Sequence, residues 1–288
     1  MTIREHYAEY IEKLSPLYDR KEAATIADWI FEDIAKITRL TRITNGSTIV
    51  EPAAADLLKN ALIELQKSKP VQYVLGEAWF FKLKLKVNKH VLIPRPETEE
   101  LVQWILEDAI RAIEKDNQHQ PSIIDIGSGS GCIAIALSKN IVNAEVLAID
   151  ISANALKVAI SNAQRYGLPV NTRQLDFLDT TTWNTLPKYD VIVSNPPYIP
   201  IADKHTLAPN VVAHEPGIAL FAGEDPLIFY KNIALFGMDH LKADGSIYVE
   251  IHEDFGKDVL AIFQQHSFSC ALRKDIFGRD RMVKASKV

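Results

Sequence analysis

The chain has 288 residues, 47% of them apolar and 24% charged, and a formal net charge of −5. That balance suits a globular protein with a sizeable core and argues against a dedicated duplex-DNA binder, which carries a basic face. No apolar stretch approaches the ~20 residues a membrane span needs, and Arg4, Glu5 and His6 precede any apolar run, so neither a leader nor a membrane partner is expected. Cys132 and Cys270 lie far apart without metal-ligand spacing and read as thiols of a reducing compartment, so the expected location is cytoplasmic.

Residues 1–72 read as a small helical domain. Ile26, Trp29, Ile30, Ile34 and Ile37 recur at helical spacing, Asn45-Gly46 breaks the pattern, and Pro52 opens a helix carrying Leu57, Leu58, Leu62 and Leu65. Residues 73–94 change period. Phe81, Leu83, Leu85 and Val87 alternate with Lys82, Lys84 and Lys86, Asn88-Lys89-His90 offers a turn, and Val91-Leu92-Ile93 follows, so a linking β-hairpin is expected.

From residue 95 to 288 strands and helices alternate. Helices are expected over 97–115, 132–139, 153–166, 226–241 and 254–265. Ser152 and Asp225 serve as caps and Gly167 follows a helix end. Strands are expected over 122–126, 145–149, 171–175, 189–194 and 246–251, with a closing pair at 268–275 and 281–286. This order implies an α/β fold with a mostly parallel sheet covered on both faces and one antiparallel strand at the end.

The run IIDIGSGSGCIAIAL sets Gly127, Ser128, Gly129, Ser130 and Gly131 between a strand and a helix. Dinucleotide loops at this position hold a pyrophosphate on the helix N-terminus. Here the spacing is G-x-G-x-G, and the carboxylate of Asp125 at the strand end would repel such an anion. A cationic ligand without phosphate fits better, and S-adenosylmethionine carries an ammonium and a sulfonium. Asp150, ending the next strand, stands where a carboxylate accepts from ribose hydroxyls. Asp176 and Phe177 follow a third strand, where a ring can face adenine and the acid or nearby backbone can read its amino group.

The strand at 189–194 ends in Asn195-Pro196-Pro197-Tyr198. The prolines offer no N–H and stiffen the chain. A planar –NH2 group is a poor nucleophile because its lone pair is delocalised. Two acceptors, the Asn195 oxygen and the Pro196 carbonyl, would grip both its N–H bonds and turn the lone pair toward a methyl donor, while Tyr198 stacks on the flat group.

This tetrapeptide resembles the signature of methyltransferases acting on exocyclic adenine nitrogen or on glutamine amide nitrogen. The runs KPVQYVLGEAWFFKLKLKV, LIPRPETEELV and VVAHEPGIALFAGEDPL extend the resemblance, over roughly residues 68–288, to the HemK/PrmC family of release factor glutamine methyltransferases. The resemblance implies a Rossmann-like class I fold with a seven-stranded sheet whose last strand is antiparallel. It implies S-adenosylmethionine as cofactor, with S-adenosylhomocysteine as product. The implied acceptor is the glutamine of the Gly-Gly-Gln loop of class 1 peptide chain release factors, seated in part by the helical domain and hairpin, on a protein expected to be monomeric. Asn195 to Tyr198 would hold the target glutamine, and Asn195 would also border the cofactor. Arg95, Glu97 and Thr98 fall near the site without individual roles. His214 and Glu215 are expected to order a loop over it, and Glu250 to serve either binding or structure. No metal and no direct nucleic-acid contact are expected. The alternatives are an adenine amino-methyltransferase acting on DNA or RNA, and a non-catalytic cofactor-binding module that docks on ribosomal partners.

Overall fold

The computed structural model describes residues 1–115 and 120–287. The described chain forms two compact units, one of Met1–Glu77 with Ala208–His214, the other of Ala78–Leu207 with everything from Glu215 onward.

The first unit is helical. Helix α1 (Ile3–Leu14) opens on a capping box in which the Thr2 side chain accepts from Glu5 N and the Glu5 side chain accepts from Thr2 N. Helix α2 (Arg20–Ala35) is capped by Asp19, α3 (Arg39–Thr44) by Thr38, and α4 (Pro52–Gln66) starts on its proline; α5 (Val71–Leu75) follows. Tyr10, Ile26, Ile30, Phe31, Leu58, Leu62 and Leu65 fill the core. Trp29 and Leu57, which share the helical spacing, are exposed at 46% and 54%, so the buried stripe is narrower than the sequence suggests.

Strands β1 (Glu77–Phe80) and β2 (Leu83–Lys86) form the hairpin, which corrects the expected register. The chain reverses at Phe81 and Lys82, both left-handed with φ of 47° and 62°, the conformation of a two-residue hairpin turn. Asn88 does form a turn, its side-chain oxygen accepting from His90 N, but Val91–Ile93 makes no strand. No glycine marks the true turn; Leu83 and Leu85 are fully buried, and this burial selects the register. The free edge of β2 is covered by side chains. Asn162 accepts from Lys86 N at 2.7 Å and donates to Lys86 O and Ser130 O at 3.0 Å each. Tyr166 Oη accepts from Lys84 N at 2.7 Å.

Helix α6 (Pro96–Lys115) leads into the alternating region: β3 (Ser122–Ile126), α7 (Cys132–Asn140), β4 (Glu145–Asp150), α8 (Ala153–Tyr166), β5 (Val170–Gln174) and β6 (Tyr189–Ser194). Short helices α9 (Pro209–His214) and α10 (Gly217–Leu220) precede α11 (Ile228–His240), β7 (Leu241–Glu250), α12 (Gly256–Gln265), β8 (Phe268–Lys274) and β9 (Asp280–Lys287). The seven-stranded sheet has the order β5-β4-β3-β6-β7-β9-β8. Strands β3 to β7 run parallel to one another, and β9 runs antiparallel to both β7 and β8. This is the expected doubly wound fold with its late reversal. The strand order turns back between β3 and β6, and the carboxyl ends of those two strands border the crevice where open α/β sheets bind ligands.

Candidate active site

The glycine turn leaves β3 and folds back onto β4, with Gly127 N and Ser128 N both donating to Ile149 O at 2.9 and 3.0 Å. Gly127 and Gly129 have φ of +72° and +56°, and nothing lies within 4 Å of where a Cβ would stand. The turn is therefore a bare backbone cradle facing open space. Gly131 differs: a Cβ there would stand 3.0 Å from the Ala159 Cβ, so this glycine lets α7 and α8 approach. Asp150 fastens the cradle, accepting from Gly129 N at 2.9 Å and from Ser152 N at 2.8 Å.

Beneath the turn, Asp125 is fully buried. Its Oδ2 accepts from Ala134 N at 3.2 Å, whereas Oδ1 has no partner among the described residues. Burial pushes its carboxyl up to about 7. The Ser128 hydroxyl is also buried without a hydrogen bond among the described residues. An orphaned carboxylate oxygen and an orphaned hydroxyl, below an unobstructed cradle, match a ligand that brings a cation and further polar groups. The residues thus fit S-adenosylmethionine. Burial also pushes the neighbouring Cys132 thiol up to about 12, which removes it as a nucleophile.

A cavity of about 320 Å³ opens over this turn. Its wall includes Gly127, Ser128, Gly129, Ser130, Asp150, Asp176, Phe177, Asn195 and Pro197. These sequence-predicted residues therefore come together. Asp125, Gly131, Pro196 and Tyr198 stand outside the wall, Asp125 beneath the turn and Tyr198 half-buried with its ring edge-on to His252 at 5.8 Å. Phe177 is shared between cavity and core: its ring stacks on Trp183 at 5.2 Å and meets Phe236 edge-on. Trp183 Nε1 donates to Phe177 O, so the aromatic wall is rigid.

Among the wall residues to which sequence reasoning gave no role are two loop stretches, 90–92 and 218–223 without Leu220. The second is held by an edge pairing beyond the tetrapeptide, in which Ile199 N donates to Leu220 O and Ala222 N to Ile199 O. Its apolar residues carry no chemistry by type, and the signal lay only in the family-like run that contains them.

Ser194 holds the end of β6, donating from Oγ to Ile126 O at 2.8 Å, which ties the tetrapeptide to the strand that bears the glycine turn. The Asn195 Nδ2 donates to Thr98 Oγ1 at 3.0 Å, and Thr98 Oγ1 donates to Glu250 Oε2 at 2.6 Å. Both Thr98 and Glu250 are buried, and burial pushes the Glu250 carboxyl up to about 7. The Asn195 side-chain oxygen has no hydrogen bond among the described residues and remains an acceptor. Glu215, also buried, accepts from Ile93 N at 3.3 Å and from Arg95 Nη2 at 2.6 Å. It fastens the run that brings Thr98 into place. His214 instead meets Lys67 O at 3.1 Å within the first unit.

Residues 7–76 match the model of the PrmC N-terminal domain, and residues 109–216 match that of the methyltransferase small domain. The release factor glutamine methyltransferase of Flavobacterium psychrophilum is 36% identical over 288 residues, covering 99% of each chain. The chain belongs to the release factor glutamine methyltransferase family. The family's member from Streptococcus pneumoniae is 43% identical over 222 residues, 76% of each chain. Among solved structures, the hMettl16 catalytic domain in complex with the MAT2A 3′UTR hairpin 1 aligns with a TM-score of 0.56. It covers 92% of this chain and 91% of that one at 16% identity, a likeness of fold alone. The fold and the family together establish a Rossmann-like class I enzyme that uses S-adenosylmethionine. Among the described residues no helix is long and apolar enough to cross a membrane.

Proposed function

We infer that this protein methylates the side-chain amide nitrogen of the glutamine in the Gly-Gly-Gln loop of class 1 peptide chain release factors. The observation that carries the reading is the Asn195 carboxamide: its N–H side is held by Thr98, and its oxygen is left as an acceptor on the wall of a cavity floored by the glycine turn. When bound, S-adenosylmethionine supplies a methyl group on a positively charged sulfur.

This chain's residues do the rest. Gly127 to Gly131 and Asp150 hold the cofactor, Asp125 offers its unpaired oxygen to the ammonium group, and Asp176 and Phe177 border the adenine. The Asn195 oxygen and the Pro196 carbonyl accept both N–H bonds of the glutamine amide. That pins the amide plane, turns its lone pair toward the methyl group and stabilises positive charge developing on nitrogen. Pro196 and Pro197 keep the backbone stiff, and Tyr198, packed on His252, holds the outer end of the tetrapeptide. The proton leaves to water after transfer, so no strong base is required. Residues 1–72 and the hairpin seat the release factor, and the enzyme acts as a monomer in the cytoplasm.

An adenine acceptor would use the same tetrapeptide, but the net charge of −5 disfavours a nucleic-acid partner. The test is to incubate the protein with labelled S-adenosylmethionine, a release factor, and DNA or RNA in parallel. Label on the Gly-Gly-Gln glutamine is expected. Label on nucleic acid alone would overturn the reading.

A further inference from the structure

Thr98, on the cavity wall beside Asn195, and Glu250 form a buried hydrogen-bonded chain that ends on the Asn195 amide. A threonine hydroxyl has one proton to give and lone pairs to accept with. At 2.6 Å from Glu250 Oε2, the Thr98 proton is committed to the carboxylate. Thr98 Oγ1 is then only an acceptor toward Asn195, 3.0 Å away. An asparagine amide can turn over and exchange its oxygen for its NH2. With Thr98 already donating elsewhere, the turned amide would place its oxygen against a lone pair. It would also aim two donors at the substrate, which needs acceptors.

We propose that Glu250, acting through the Thr98 hydroxyl, is the positioning residue that keeps the Asn195 oxygen facing the methyl acceptor. The proposal rests on the functional reading above. The direction of the chain is set by charge: an acid proton on Glu250 could be given to Thr98, and Thr98 could then donate to the Asn195 oxygen, favouring the turned amide. Thr98 and Glu97 of α6, Arg95 before it, Cys132 of α7, Tyr198, Tyr230 of α11 and Arg281 of β9 all lie within electrostatic reach of Glu250. Arg95 and Arg281 favour its carboxylate and Glu97 disfavours it. Tyr230 Oη donates at 3.0 Å to the backbone oxygen of Glu250, which fixes the strand end independently of the carboxyl.

The experiment compares Thr98→Val, Thr98→Ser and Glu250→Gln with the wild type by three readings: kcat and KM for a release factor, calorimetric affinity for S-adenosylhomocysteine, and the side-chain 15NH2 signal of Asn195. That signal is assigned by its loss in Asn195→Ala. Thr98→Val should lower kcat roughly 10- to 100-fold, the scale expected when a positioned group is let go, with KM and cofactor affinity unchanged. Thr98→Ser should restore the rate. Glu250→Gln should lower kcat and remove the fall of kcat toward acid pH that the wild type is expected to show. In both Thr98→Val and Glu250→Gln the Asn195 signal should move and exchange faster with water.

An unchanged kcat or an unmoved Asn195 signal in Thr98→Val would overturn the proposal. So would a loss that Thr98→Ser fails to restore, or one accompanied by equal loss of cofactor affinity, either of which marks a merely structural role. If the wild type methylates no release factor yet the Asn195 signal responds as stated, the functional reading fails while the positioning chain stands.

Discussion

Two buried carboxylates stand behind the two halves of this site, and they are used differently. Asp125, below the glycine turn, and Glu250, at the end of β7, are both pushed up to about 7 by burial. Among the described residues Asp125 Oδ1 has no partner, so its hydrogen bonding is incomplete. Glu250 gives an oxygen to Thr98 and reaches the acceptor half only through that hydroxyl and Asn195. Equal burial therefore does not mean equal function. What separates the two acids is what their oxygens meet: Asp125 Oδ1 has no partner among the described residues, whereas Glu250 Oε2 accepts from Thr98.

The comparison predicts distinct failures. The largest should come from Asn195→Ala, which removes an acceptor used in the transition state. Methyl transfer should fall by ~100-fold or more while calorimetric affinity for S-adenosylhomocysteine stays close to wild type. Loss of cofactor affinity instead would place Asn195 in the other half of the site.

Next in size is Asp150→Ala. It unpairs the Gly129 and Ser152 amides and removes a carboxylate from the cavity wall, and should weaken the cofactor by roughly 1–3 kcal/mol. An unchanged dissociation constant would leave Asp150 with a structural role only.

Asp125 should show itself through pH. A bound ammonium group favours its carboxylate, so binding releases a proton, and cofactor affinity should rise as pH rises through about 7. Asp125→Asn should flatten that rise. A pH-independent affinity in the wild type would mean the cation does not approach Asp125.

The smallest effect is on the unliganded fold. Because both carboxyls are raised above their unfolded values near 4, the native state holds protons that the unfolded chain has lost. Their contribution is full below pH ~4 and declines as pH rises through about 7. In thermal unfolding, Asp125→Asn and Glu250→Gln should each make the midpoint less dependent on pH between these limits. A steeper dependence in either variant would contradict the raised values.

Much of this molecule was legible before folding. The long strands and helices expected from residue 95 onward match the observed ones to within five residues, whereas the short helices α9 and α10 were not expected, because only the long elements show a full period. The helix expected at 226–241 runs from Ile228 to His240, but its N-cap is Leu227 without a side-chain bond, and the expected cap Asp225 instead accepts from Leu227 N in the preceding turn. The hairpin was less legible. Its turn at Phe81-Lys82 requires two left-handed residues that advertise nothing in their side chains, while Asn88 advertises a turn that leads to no strand.

Sequence by itself determined the local chemistry: a glycine turn between a strand and a helix, acids at strand ends, and a stiff Asn-Pro-Pro-Tyr after a core strand. These depend on neighbouring residues and on backbone preferences that act over a few positions. Tertiary structure alone decided how that chemistry is aimed. The Asn195–Thr98 and Thr98–Glu250 bonds join residues 97 and 152 apart, and the burial of Asp125, with one oxygen unpaired among the described residues, is set by the packed interior around it. Hydrogen-bond direction and desolvation are properties of a closed interior, and no short stretch of chain contains one.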